Sequence, residues 1–160
     1  MPFIIDGTNL LRSIEGSGST DEPLTDVWLC FVISRYLGRI GHKGQIVFDG
    51  TGPADKSRLD NIGGLEVCFS GLGVEADDVI EDKIQANTAP RGLTVVSSDR
   101  RLRNAAHTRR AVSVKSEVFW NQLQKQLSCK GDLCREPHSK QSGLTQGETE
   151  QWLKFFGFGE

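Results

Sequence analysis

Three groups of acids stand out for where they fall. Asp6 closes the apolar run Phe3-Ile4-Ile5, the cluster Glu75-Ala76-Asp77-Asp78 opens a segment of helical pattern, and Asp99 follows Leu93-Thr94-Val95-Val96-Ser97-Ser98. Carboxylates at strand ends and at a helix start, distant along the chain, are how a fold gathers several oxygen ligands around divalent cations. Hard oxygen donors suit Mg²⁺ or Mn²⁺. Phosphodiester hydrolysis asks little of side chains beyond holding such ions, which activate water and neutralise the charge developing in an in-line displacement. These acids point to metal-dependent nuclease chemistry.

Glu75, Asp78 and Asp82 recur at intervals of three and four and are expected on one helix face, with Ala76, Val79, Ile80 and Ile84 packed on a sheet. Asp77 lies roughly 100° round the axis and is expected at the helix N-terminus, stabilising the dipole. The expected catalytic set is Asp6, Asp78 and Asp99; the expected metal ligands are Asp6, Glu75, Asp78, Asp82 and Asp99. Each acid has an ordinary alternative, since acids are commonplace in surface helices and Asp6 or Asn9 can cap a turn through its own side chain. Against that reading for Asp6, neighbouring first and fourth strands would set it beside Asp99, and a buried acid pair is costly without a cation.

The substrate side is read from basic residues. Arg100 to Ser116 holds six bases (Arg100, Arg101, Arg103, Arg109, Arg110 and Lys115) and no acid, and it begins immediately after Asp99. A charge run is by default a solvated face, but arginine forks match phosphate geometry. Arg100, Arg101 and Arg103 are expected to face an RNA backbone, with Lys56 and Arg58 extending the path and Asn9 and Ser98 completing the RNA-binding set. Ser98 alternatively caps the helix that starts near Asp99.

Other chemistries are set aside. There is no Gly-x4-Gly-Lys-Ser/Thr phosphate loop, and His42, His107 and His138 are scattered with no nucleophile pattern beside them. Asp6-Gly7-Thr8 superficially suggests a haloacid dehalogenase-type phosphatase, but the nucleophilic Asp that such a site needs two residues earlier is Ile4.

The elements that must position these residues alternate. Strands are expected at Phe3 to Asp6, Gln45 to Asp49, Leu65 to Phe69, Leu93 to Val96 and Ala111 to Val114. Helices are expected at Asp21 to Ile40, stopped by Gly41, at Glu75 to Ala89, near Arg100 to Ala106, and at Ser116 to Leu127, with a loop at Gly16-Ser17-Gly18-Ser19. This alternation indicates an α/β fold with a parallel sheet covered on both sides. Ligands in such sheets bind beyond the carboxyl ends of strands, where strand order reverses, and Asp6, Asp49 and Asp99 sit at such ends.

With 160 residues the chain suffices for one core plus a tail. We expect a nuclease domain at 1–128, a connector at 129–147, rich in Ser, Gln, Gly, Lys and Pro, and a helix or tail at 148–160 carrying Trp152, Leu153, Phe155 and Phe156. A formal charge of −2 gives no global pull toward a polyanion, so binding must rest on local patches. No signal peptide or membrane-length apolar run is visible, and a cytoplasmic location without a membrane partner is expected. Cys30 and Cys68 read as buried small hydrophobes, whereas Cys129 and Cys134 lack the partner pair that a zinc site requires.

The ordered set Ile5-Asp6-Gly7-Thr8-Asn9-Leu10-Leu11, Phe48-Asp49-Gly50, Phe69-Ser70-Gly71, Glu75-Ala76-Asp77-Asp78-Val79-Ile80-Glu81 and Val95-Val96-Ser97-Ser98-Asp99 resembles the YacP-like branch of NYN-domain ribonucleases in the PIN-like superfamily. The ending Leu144-Thr145 to Phe156 resembles that branch too. The resemblance implies a Rossmann-like three-layer sandwich with a mostly parallel five-stranded sheet and a Mg²⁺ or Mn²⁺ site on Asp6, Asp78 and Asp99. It also implies endoribonuclease activity, with messenger RNA as substrate and the ribosome as partner. The competing expectation is a non-catalytic RNA- or ribosome-binding module of the same fold.

Overall fold

The computed structural model describes residues 2–18, 24–59 and 62–128. Five strands, β1 (Pro2–Asp6), β2 (Lys43–Phe48), β3 (Leu65–Phe69), β4 (Thr94–Val96) and β5 (Val112–Val114), form one sheet in the order β3-β2-β1-β4-β5. Every strand pairing is parallel, with Ile4 opposite both Gln45 and Val95. The chain builds outward from β1 through β2 and β3, then returns across β1 to lay down β4. Strand order therefore reverses between β1 and β4, where a crevice opens at the carboxyl ends.

Among the described residues, five α-helices cover the sheet: α1 (Gly7–Ser17), α2 (Asp26–Ile40), α3 (Ala76–Ala86), α4 (Arg100–Thr108) and α5 (Ser116–Ser128). Helices α1, α2 and α5 pack together, and α3 packs with α4. Successive residues of a buried strand point to opposite faces, so both layers find apolar partners. Ile4, Val47 and Val95 meet Ala76, Ile80, Ile84, Leu102 and Ala106 beneath α3 and α4. In the other layer the Tyr36 and Phe119 rings meet edge to face at 5.5 Å. Burial of these side chains, at about 25 cal/mol per Å² of apolar surface, is the main force fixing the helix starts over the sheet.

The sequence expectation of a loop at Gly16 to Ser19 is corrected for its first half. Helix α1 runs to Ser17 and ends at Gly18, whose φ of 62° is left-handed and open to glycine without strain. Leu10 and Ile14 are fully buried on its inner face. Helix α2 begins at Asp26, five residues later than expected, with Thr25 capping it through a bond from the Trp28 N–H, and Gly41 ends it at φ 68°. Among the described residues, no helix is long and apolar enough to cross a membrane. Cys129, Cys134 and the expected connector and C-terminal helix lie outside the described residues.

Candidate functional site

Three helices start at one place. Asp6 is the N-cap of α1 and accepts the Asn9 N–H at 3.0 Å. Asp99 is the N-cap of α4 and accepts the Arg101 N–H at 2.6 Å. Glu75 is the N-cap of α3 and makes no capping bond of its own. Asp49, directly after β2, supplies the missing acceptor: its Oδ1 takes the Ala76 N–H at 2.7 Å. Helix N-termini favour negative charge, which is why a fold can assemble this many carboxylates. Asp6, Asp49, Glu75, Asp77 and Asp99, with Thr8, Asn9 and Arg12, line a cavity of about 390 Å³.

A hydrogen-bond frame holds these groups. Ser97 Oγ donates to Asp6 Oδ2 at 3.0 Å and accepts the Asp99 N–H at 3.0 Å. Asn9 Oδ1 accepts the Ser98 N–H at 3.1 Å and the Ser116 hydroxyl at 2.7 Å, tying α1 to the β4–α4 loop and to α5. Thr8 Oγ1 accepts the Asp49 N–H at 3.0 Å. The backbone at the strand ends is thus cross-linked by short polar side chains rather than by packing alone.

The same arrangement is electrostatically costly without a cation. Asp6 is only 3% exposed, and burial pushes its carboxyl up to about 6, against the lowering effect of the Asn9 and Ser97 bonds; Asp77 and Asp49 raise it further. Asp77 is also raised, first by burial, then by Asp99, with Asp49 and Glu75 adding to the effect and Arg101 opposing it. Mutually repelling, partly desolvated carboxylates favour uptake of either protons or a cation.

Of the acids expected from sequence, Asp6, Glu75 and Asp99 share the cavity. Asp78 and Asp82 do not line it, and Asp77 does, the reverse of the orientation expected for α3. Asp78 instead pairs with Arg101 Nη2 at 2.7 Å, and Asp82 is exposed. The physical reason lies at the helix start. Glu75 has extended backbone (φ −81°, ψ 144°), so helical spacing does not govern its direction and cannot align it with Asp78 and Asp82.

The expected RNA-binding residues divide similarly. Asn9 lines the cavity. Ser98 Oγ points away from it, donating to Glu117 Oε2 at 2.8 Å and accepting the Ser116 N–H at 3.1 Å. Arg101 is held by both Asp78 and Glu81. Arg100 is exposed at the start of α4, and Arg103 has its Nε buried without a hydrogen-bond partner. Lys56 Nζ sits 5.3 Å over the Phe69 ring; neither it nor Arg58 reaches the cavity. Sequence reasoning left Asp49, Ser97 and Arg12 out of the site. Asp49 carried a signal, since like Asp6 it follows an apolar strand.

The donor set suits a hydrated hard cation. All five acids offer oxygen, the preference of Mg²⁺ and Mn²⁺. Among the described residues, no group of three or more His, Cys, Asp or Glu side chains converges closely enough to hold an ion jointly. Mg²⁺ dehydrates reluctantly and is commonly held by one or two carboxylates plus waters. At about 30 Å³ per water, the 390 Å³ cavity has room for the ion with its hydration shell.

Comparison with known proteins agrees with this architecture. A family model described as YacP-like NYN domain matches residues 3–154. The solved structure of Rae1 (YacP) from Bacillus subtilis is 21% identical, with 78% of this chain and 74% of that one covered and a TM-score of 0.59. A tryptophan-to-leucine mutant of the same Bacillus subtilis protein is 20% identical, with 78% and 75% covered and a TM-score of 0.56. At such identities the likeness concerns the fold. No curated protein sequence matches the chain.

Proposed function

This chain belongs to the YacP-like NYN domain family, and on that premise we propose that it is a divalent-cation-dependent endoribonuclease whose active site is the acidic cavity beyond β1 and β4. The observation that carries the reading is the meeting of five carboxylates at the carboxyl-end crevice where strand order reverses. Asp6 and Asp99, coupled through Ser97, would hold the hydrated cation, with Asp77, Asp49 and Glu75 acting through its water shell. When bound, Mg²⁺ or Mn²⁺ supplies activation of water and neutralisation of charge on the phosphate.

The chain's own residues orient the site. Ser97 fixes one oxygen of Asp6 and the Asn9 N–H the other, leaving the carboxylate one orientation. Asp49 anchors the start of α3 and so sets the approach of Asp77. Asn9 locks three elements around the opening. Such pre-organisation means that little reorganisation accompanies arrival of an RNA phosphate. By family resemblance we extend the proposed substrate to messenger RNA and the proposed partner to the ribosome.

Incubation of the purified protein with end-labelled single-stranded RNA tests the reading. Internal cuts are expected with Mn²⁺ and none with EDTA. RNA binding that persists in EDTA, with no cutting under Mn²⁺ or Mg²⁺, would make the chain a binding module instead.

A further inference from the structure

The cavity contains one cationic side chain among the described residues, and it comes from outside the basic segment. Arg12 lies on α1 three residues beyond Asn9 and four beyond Thr8, on the same helix face, and lines the cavity with them. The other polar groups of that face are engaged in building the site: Thr8 takes the Asp49 N–H, and Asn9 takes Ser98 and Ser116. Arg12 is exposed. Among the described residues it forms no ion pair with the five carboxylates around the cavity; the ion pairs of Arg101 are with Asp78 and Glu81, which do not line it.

Two arginines of the basic segment are less available, although Arg100, next to Asp99, is exposed. Arg101 is held between Asp78 and Glu81, and Arg109 Nη2 donates to the Asn87 carbonyl at 2.8 Å. An RNA strand approaching five acids meets repulsion, and Arg101, which opposes the raising of Asp77, is already committed to Asp78 and Glu81. An uncommitted guanidinium at the opening does offset it, and its planar fork can take two phosphate oxygens together.

We propose that Arg12 is a phosphate-binding residue of this site, gripping the RNA backbone at the mouth of the carboxylate cavity. This rests on the nuclease reading for its substrate. A rival role is counter-ion to the acids. The two separate experimentally, because a counter-ion competes with the metal and is indifferent to RNA, whereas a phosphate arm acts on RNA and leaves the metal alone.

Steady-state cleavage of a single-stranded RNA by wild type, Arg12→Ala and Arg12→Lys, in Mn²⁺ and over about 50 to 200 mM salt, decides it, together with the Mn²⁺-induced thermal shift of each protein. Arg12→Ala is expected to raise KM about tenfold, as loss of one charge-assisted contact implies, with kcat little changed. The slope of log affinity against log salt should flatten by about 0.7, one phosphate contact on a single strand. Arg12→Lys should recover most of the slope and part of the KM, and the Mn²⁺ shift should match wild type in both variants. A wild-type KM and salt slope in Arg12→Ala overturns the proposal, whether or not its metal response changes. If the wild type cuts no RNA, the functional reading fails instead. Salt-dependent RNA binding by the same proteins, read by fluorescence anisotropy, then judges Arg12 on the same slope.

Discussion

The Ser97 hydroxyl and the Asp6 carboxylate are bonded at 3.0 Å, and both residues are buried. Because that hydroxyl oxygen also takes the Asp99 N–H, one small side chain couples the acids that end β1 and begin α4. The bond stabilises ionised Asp6 against burial, which outweighs it. Ser97→Ala should therefore raise the Asp6 carboxyl further and move the acid limb of the rate–pH profile to higher pH. A stability loss of about 1 to 2 kcal/mol is expected from the orphaned buried groups. Ser98→Ala should leave the acid limb in place, since Ser98 bonds Glu117 and Ser116 instead. Rate profiles from about pH 5 to 9, bracketing the perturbed carboxyl, together with urea midpoints, check both.

Asp6 also predicts a pH dependence of metal-free stability. Its carboxyl moves from 3.8 to about 6 on folding, raised chiefly by burial, so between those values the folded chain binds more protons than the unfolded one. Stability from this group is complete below about pH 4 and is lost as pH rises through 6, by roughly 3 kcal/mol. Asp77, raised in the same sense, steepens the loss. In EDTA, urea unfolding should show falling stability from pH 4 to 7, and Asp6→Asn should flatten the curve. Saturating Mn²⁺ should restore stability to wild type alone.

Asp77 and Asp78 are neighbours with opposite surroundings, one in the cavity and one paired to Arg101. Asp77→Asn should lower Mn²⁺-dependent cleavage on the order of 100-fold, the upper range for groups that orient a metal. Asp78→Asn should lower it less than about tenfold, as expected when an exposed ion pair is lost. Comparable losses in both, measured under one Mn²⁺ concentration, would contradict the assignment.

Gly7 is required by packing. A Cβ there would lie 2.4 Å from the Phe48 ring, and that ring is buried and stacked on Phe69 at 5.7 Å. Gly7→Ala should cost about 1 to 3 kcal/mol through overpacking and also reduce activity per folded molecule, because Asp6 adjoins it. Urea denaturation and cleavage normalised to the folded fraction measure the two effects.

What was legible in the sequence was what local pattern controls. Leu65 to Phe69 is a strand over those same residues, and Gly41 ends α2, because apolar runs and a left-handed glycine act within a few residues. The meeting of Asp6 and Asp99 followed from parallel neighbours ending in acids. Helix α1 was not legible: Gly16-Ser17-Gly18 resembles a loop, and only burial of Leu10 and Ile14 against the sheet reveals the helix. Missing α1 concealed Arg12. Asp77 does lie in the first turn of α3, as expected, but its place in the cavity was hidden because Glu75 is extended and helical spacing does not align it with Asp78. Arg101 appeared available for RNA because its partners come from a different helix.

Asp6 and Asp99, separated in sequence, are proposed to serve one cation site. Titration of Mn²⁺ into metal-free protein, with free ion followed by electron paramagnetic resonance, measures that directly. The wild type should withdraw Mn²⁺ from solution saturably, and the Asp6→Asn/Asp99→Asn double variant should bind at least about tenfold more weakly while remaining folded by circular dichroism. Equal binding by the two folded proteins, or none by the wild type, would contradict the account.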